Sequence, residues 1–329
     1  MTPSHWPADP LAAVTHPDPY PYYATLARQP APVFDARLNL WIVAHADTVA
    51  AVLAHPDCRV RPVHEPVPAA IAGPAGDVFG ALMRMKDGER HAVPRAALLP
   101  RIAAWSAAET ASRVAAGMLT AKLDAAALTA YVFGVPVRTV ASLLGCSDAQ
   151  LPEIAGLVGR FVAGIAPQAA PDRVVAAHDA ATALLALLGK SGDPLAANLV
   201  GLLSQTYEAT AGLIGNGIVA RLRGDTRPAA ALVDGVLRDD PPVQNTRRFT
   251  AQPVDICGVR IDAGQTILLV LAAARRPFGQ GRHECPGQAL ARTIATQAMS
   301  LLGELPDVGW HYRPSPNGRL PVFTEREVK

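Results

Sequence analysis

The residues best placed to do chemistry lie in one stretch, PFGQGRHECPGQALAR (277–292). It holds a single cysteine, Cys285, together with His283 and the glycines Gly279, Gly281 and Gly287. Glycine accepts backbone angles and close approaches that other residues resist, so the run reads as a bent loop. Pro286-Gly287 opens the helical run QALARTIATQAM, which puts Cys285 just before a helix N-terminus. Unpaired amides and the helix dipole favour a thiolate there, and a thiolate fixed in this way is a nucleophile or a metal ligand. On these features alone, an ordinary glycine turn around a packed cysteine is the alternative.

Three other segments carry candidate groups. DGERHAVPRAAL places His91 and Arg95 four residues apart, on one face if helical, with Pro94 either starting or kinking that helix. A solvated basic face is the bland reading of that pair. NTRRFTAQPVDI offers Arg247 and Arg248. LLSQTYEATAGLIGN combines Glu208 and Thr210 with the small residues Ala209, Ala211 and Gly212. Small residues on a helix admit a flat ligand, and close helix–helix packing explains them equally well.

The elements that must position these groups follow from pattern and punctuation. Prolines dominate residues 1–36, an extended arm with a short helix around 22–28. NLWIVAHADTVAAVLAHPDC predicts a strand over 40–44 and a helix capped by Asp47 and ended by His55-Pro56. Residues 60–80 read as loop. From about 95 to 225 apolar residues recur every three or four positions, a bundle of helices. The longest runs over 194–222, with Asp193 and Pro194 at its start. Near 250 the pattern alternates, with a turn at Asp262-Ala263-Gly264, which predicts a small sheet. A helix over 287–303 and a Pro/Gly-rich tail complete a mainly α chain with a minor β portion.

With 329 residues, half of them hydrophobic and 18% charged, the chain has material for a substantial core. A net charge of +2 without a long basic run gives no reason to expect nucleic acid. Four scattered cysteines argue against a disulfide framework or zinc site and for a reducing compartment. No signal peptide and no membrane-length apolar run is visible, so the expected location is the cytoplasm. Cys58, Cys146 and Cys257 read as packing residues. His45, His55 and His178 read as surface or capping residues.

The whole pattern is more specific than its parts. Phe-Gly-x-Gly-x-His-x-Cys-x-Gly, followed by Ala-Leu-Ala-Arg, resembles the heme-binding loop of the cytochromes P-450, with matches at Phe278, Gly279, Gly281, His283, Cys285 and Gly287. DPYPYYATLARQPAPVF, DDPPVQNTRRFTAQPVDICGVRIDAGQTILLVLAAA and WHYRPSPNGRLPVF extend the resemblance through most of the chain, in the family's order. The resemblance implies one domain over 1–329 with that mainly α fold, a bundle of helices with small sheets. It implies heme b, iron protoporphyrin IX, with Cys285 as axial thiolate, the metal ligand. A thiolate trans to oxygen favours O–O cleavage. Phe278 would pack beside the sulfur. His91, Arg95, Arg248 and His283 would meet the propionates, and the helix at Ala209 would cross the oxygen-binding face.

The chain departs from the family in three places. Ala209 stands where a threonine is usual after the acid at Glu208, and Thr210 lies ~100° around the helix from it. Gly235 stands where Glu-x-x-Arg would begin, with Arg238 retained. Between LAAARR and PFGQGRH the meandering loop is missing, and the segment from Asn216 to Arg238 is short. The loss of a glutamate at 235 is expected to follow from the loss of its meander partner.

The resulting expectation is a monooxygenase acting on a small apolar substrate. It would use O2 and electrons from a ferredoxin-like donor and its reductase, docking near Arg84, Lys86, Arg90 and Arg282. Glu208 and Thr210 are the candidate proton-relay residues. Ala209 favours a second reading, a peroxide-dependent heme-thiolate enzyme, and the deletions favour a third, a degenerate heme-binding protein. Segments 60–80 and 160–175 are where substrate specificity is expected.

Overall fold

Prolines and glycines set most of the element boundaries. The computed structural model describes residues 6–116, 123–189 and 195–326. Helix α1 (Tyr20–Leu26) begins directly after Pro19. Strands β1 (Val33–Asp35) and β2 (Leu40–Val43) follow, then α2 (Ala46–Ala54), which stops before Pro56, and β3 (Cys58–Arg59). Asp47 lies inside the first turn of α2, and His45 occupies the N-cap position, so the predicted aspartate cap is not formed.

Residues 60–80 are not all loop. They contain a 3-10 turn at Ala69–Ile71 and a helix, α3 (Pro74–Ala81), whose Val78 and Phe79 are buried. Gly73 turns the chain into α3 at φ 117°, and His178 Nδ1 accepts the N–H of Ala75 at 3.2 Å. His178 is thus a capping residue supplied by a distant helix. After a 3-10 turn at Met83–Met85 come α4 (Glu89–Ala103), α5 (Ala107–Ala116), α6 (Ala125–Leu143), α7 (Leu151–Gly164), α8 (Pro171–Leu188), α9 (Ala196–Leu222) and α10 (Ala229–Asp239). Asp193 and Pro194, the expected start of α9, lie outside the described residues.

The C-terminal part is β4 (Thr246–Thr250), β5 (Val254–Ile256), β6 (Val259–Ile261), β7 (Thr266–Leu269), a 3-10 turn at Gly281–His283, α11 (Gln288–Leu301), β8 (Val308–Tyr312) and β9 (Pro321–Glu325). The tail that reads as irregular in sequence is therefore an antiparallel pair, with Trp310 opposite Phe323. The fold is mainly α with small sheets.

The described residues gather into two compact units. The first comprises the chain up to 63, residues 215–285 and the chain from 307. Its five-stranded sheet has the order β1-β2-β7-β4-β3, with β2 and β7 parallel and the other pairs antiparallel. Val49, Val52 and Leu53 of α2 pack on Ile267 and Leu269 of this sheet. The same unit buries Arg319, whose side chain is 1% exposed. Its Nε donates to Asp240 Oδ1 at 2.6 Å, its Nη1 to the carbonyls of Val14 and His16, and its Nη2 to that of Pro17. The guanidinium lies 3.7 Å from the Tyr312 ring centroid, and Tyr20 donates its hydroxyl to the same Asp240 carboxylate. One arginine thus joins the N-terminal arm, the end of α10 and the β8–β9 pair. Burial disfavours its charge, but Asp240, Tyr312 and Tyr20 outweigh that and hold its pKa above the usual arginine value.

The second unit, residues 64–214 and 286–306, is helical. Tyr131 of α6 donates to the carbonyl of Ala298 in α11 at 2.8 Å. Gly164 lets α7 approach α8, because a side chain there would collide with Ala177 and the Arg173 carbonyl. Among the described residues α6 is the one helix long and apolar enough to cross a membrane, and most of it is buried within the protein.

Candidate functional site

The cysteine loop belongs to the first unit and is shaped by its glycines. Gly279 and Gly281 both adopt positive φ, 71° and 73°, a region that costs other residues energy. The Cys285 N–H donates to the Phe278 carbonyl at 3.0 Å, which ties the two ends of the loop. His283 closes the 3-10 turn, and Cys285 is half-buried and not in a disulfide. Between β7, ending at Leu269, and the turn beginning at Gly281 there is only a series of turns. No strand or helix intervenes, as the missing meander implies.

Arg282, also in the loop, is committed to structure. Its Nη1 and Nη2 donate to the carbonyls of Ala54 and His55, at 3.0 and 2.7 Å, and so satisfy the C-terminus of α2. That corrects its assignment to a partner-docking patch. Arg84 is half-buried, with its Nε withdrawn from solvent. Lys86 is half-buried and Arg90 is exposed.

Arg248 is buried within β4, 5% exposed, opposite Ile267 of β7. Its Nη1 donates to the Arg247 carbonyl at 2.8 Å. Burial lowers the pKa of the neighbouring Arg247. Cys58, at the sheet edge, has its thiol pushed up to about 11 by burial, against the opposing pull of Arg248 and Arg282. Cys58 is a packing residue as expected, and Cys146 is half-buried. Cys257 is not a packing residue: it is exposed in the β5–β6 turn at φ 52°.

In the second unit, His91 is buried near the start of α4 and Arg95 is half-buried one turn later. Pro94 lies inside α4, so the helix begins before it, at Glu89. Glu208 and Ala209 are half-buried on α9, whereas Thr210 is buried, 3% exposed. Asn198, Gly201, Gln205 and Glu208 recur at helical spacing on one face, and Ala209 and Gly212 border it. Thr210 falls outside this face. Gly287 precedes α11 as its N-cap.

Gly235 lies beneath an arginine side chain. A Cβ on Gly235 would collide with the guanidinium of Arg227, which Asp225 holds through Nε contacts at 3.0 Å. Arg238, three residues on, is exposed and pairs with Asp239 at 2.6 Å. No helix separates α9 from α10, which agrees with the short 216–238 segment.

The first unit thus carries the loop thiol with His283 and Arg248, and the second carries His91, Arg95 and the small-residue face of α9. In the first unit a soft sulfur donor accompanies the imidazole of His283 and the guanidinium of Arg248, and a sulfur donor of this kind suits a transition-metal ion. Among the described residues no group of three or more His, Cys, Asp or Glu could hold a bare metal ion. Sequence reasoning missed Arg227 and Arg319, neither of which belongs to a recognisable motif.

No protein-family model matches the chain. It is 31% identical over 144 residues to the biotin biosynthesis cytochrome P450 of Bacillus subtilis (strain 168), covering 33% of this chain and 36% of that protein. It is 34% identical over 145 residues to the cytochrome P450 monooxygenase PikC of Streptomyces venezuelae, covering 34% and 35%. The match to the vitamin D(3) 25-hydroxylase of Pseudonocardia autotrophica is longer, 28% over 224 residues, covering 52% and 56%. The chain therefore spans about a third to a little over half of the length of these curated relatives. Among solved structures, P450BioI in complex with hexadec-9Z-enoic acid ligated acyl carrier protein superposes with a TM-score of 0.74 at 20% identity, covering 93% of this chain and 99% of that one. CalO2 superposes with a TM-score of 0.74 at 20% identity, covering 96% of each. These likenesses establish the fold.

Proposed function

Because the chain is a bacterial-type relative of the cytochromes P-450 built on their fold, we propose that it is a heme-thiolate monooxygenase. The observation that carries this reading is the loop from Phe278 to Gly287, with Gly279 and Gly281 at positive φ and Cys285 tied back to Phe278. A thiolate-ligated heme b supplies the activation of O2 for insertion into a C–H bond. Cys285 would hold its iron. His283 and Arg248 in one unit, and His91 and Arg95 in the other, would be the hydrogen-bond donors to its carboxylates. Buried carboxylates need such partners. The small side chain of Ala209 leaves room at the α9 surface. Taken as a single catalytic domain over 1–329, the chain works in the cytoplasm with a ferredoxin-like donor and its reductase.

Proton handling sets the limits of this reading. Glu208 is the acid on the relevant face of α9, and Ala209 offers no hydroxyl beside it. Thr210 is buried off that face, which weakens its case as the substitute alcohol. Peroxide brings its own protons and electrons, so Ala209 favours a peroxide-dependent reaction as the second reading.

Turnover of the heme-loaded protein, driven either by a reductase system or by hydrogen peroxide, tests the assignment. Ala209→Thr is expected to raise the fraction of reductase electrons recovered in product and to leave peroxide-driven turnover unchanged. Bound heme with no turnover by either route contradicts an enzymatic role.

A further inference from the structure

Helix α3 has no cap of its own. Pro74 at its first position lacks an N–H, and the N-cap residue, Gly73, has no side chain to offer. The N–H of Ala75, a fully buried residue, is instead accepted at 3.2 Å by Nδ1 of His178, which projects from α8. Gly73 makes room for that ring. At φ 117° it adopts a conformation that side chains disfavour, and a Cβ there would stand 3.2 Å from His178 Cε1. Because Nδ1 accepts, the proton of the neutral ring is on Nε2.

The other end of α3 is fastened to α9. Leu82 packs directly over Gly201, and the Met83 N–H donates to Asn198 Oδ1 at 2.7 Å. The segment 73–83 therefore has a polar anchor on α8 and another on α9, with Val78 and Phe79 buried between them. Of the two, only the His178 anchor can change its charge near neutral pH. Protonation puts a hydrogen on Nδ1, so the acceptor is lost and the Ala75 N–H is left buried without a partner. It also sets a positive charge against the N-terminus of α3, the positive end of the helix dipole. The charged groups on α8 and on the two helices packed against it are Asp172, Arg173 and Asp179 on α8, Asp77 on α3, and Glu153 and Arg160 on α7. Among the described residues none of these forms an ion pair with His178, so the imidazolium has no paired carboxylate.

We propose that His178 is a pH-operated latch: uncharged, it caps α3 and holds segment 73–83 against α8 and α9, and protonated, it releases the N-terminal end of α3. The sign follows from its role as acceptor. The latch is closed above the pH at which the ring takes up a proton, and it opens as the pH falls through that point. Leu82 and Met83 rest on the face of α9 that also carries Gln205 and Glu208, so loosening the segment opens a way to that face.

Hydrogen–deuterium exchange of the purified protein, read by mass spectrometry on peptides spanning 74–81, tests the latch. Rates at pH 7.5 and pH 5.5 are compared after correction for the intrinsic pH dependence of exchange. Protection of α3 is expected to fall by about fivefold or more at pH 5.5, the typical effect of a lost helix cap, while that of α6 holds. His178→Asn keeps an acceptor that does not titrate and should stay protected at both pH values. His178→Phe keeps a ring without an acceptor and should be open at both. Equal protection of wild-type α3 at the two pH values overturns the proposal. An equal fall in α6 does so too, because it marks a general effect of acid. So does a fall in His178→Asn as large as in the wild type, or a His178→Phe helix as protected as the wild type at pH 7.5. If the phenylalanine variant does not fold, the comparison of wild type with His178→Asn decides alone.

Discussion

Replacing Arg319 with methionine tests how the first unit is held together. Methionine keeps much of the length and apolar bulk of the side chain but removes the charge and every donor. Arg319 is buried and Asp240 half-buried, so the cost of about 3–5 kcal/mol for removing one partner of a fully buried pair is an upper bound on this contact alone. The stacking on Tyr312 and the bonds to the Val14, His16 and Pro17 carbonyls are lost at the same time. These contributions share one side chain and do not add, so the expected total is about 4 kcal/mol. Folded domains are stable by only about 5–15 kcal/mol, which makes this a large fraction. Urea unfolding followed by circular dichroism should show a lower midpoint with little change in slope. Asp240→Asn retains an acceptor and should cost about 2–3 kcal/mol. The double variant should be less destabilised than the sum of the two. Limited proteolysis should cut the arm around residues 14–18 in Arg319→Met before it does so in the wild type. A loss below about 1 kcal/mol, or strict additivity with Asp240→Asn, refutes the claim that Arg319 joins these three segments.

Two further outcomes follow from local chemistry. The Cys58 thiol has a folded pKa of about 11 against an ordinary 9.0, so its contribution to stability is complete below pH 9 and is lost as the pH rises towards 11. Cys58→Ala should flatten that part of the stability curve, and at pH 8 alkylation followed by mass spectrometry should label Cys257 well before Cys58. Gly235→Ala should be neutral or should raise stability by up to about 1 kcal/mol, because the helix gains a better former while the exposed Arg227 side chain swings aside. A clear destabilisation means that Arg227 is held in place more firmly than its surface ion pair with Asp225 suggests.

What the sequence makes legible depends on how local the cause is. The cysteine loop is legible because Gly279, Gly281 and Cys285 act within a few residues of one another. The β2 strand, the end of α2 before Pro56 and the end of α9 at Leu222 follow from apolar pattern and proline position. Helix α3 escapes because its stability comes from burying Val78 and Phe79 and from a cap supplied by His178, about a hundred residues away. The β8–β9 pair escapes for a similar reason: its prolines and glycine mark a turn, but the strands are fixed by pairing and by the buried Arg319. Arg282 and Arg319 look alike in sequence. Only their surroundings separate a helix-end clamp from a structural hub. At Gly235 the Arg227 guanidinium occupies the space a Cβ would fill, a contact that the sequence does not reveal.

The most direct test of the central claim is the absorption spectrum of the reduced, carbon monoxide-treated protein beside that of Cys285→Ser. The account predicts a thiolate-type spectrum in the wild type that is abolished by the serine substitution. A protein that takes up no porphyrin, or a serine variant with an unchanged spectrum, contradicts it.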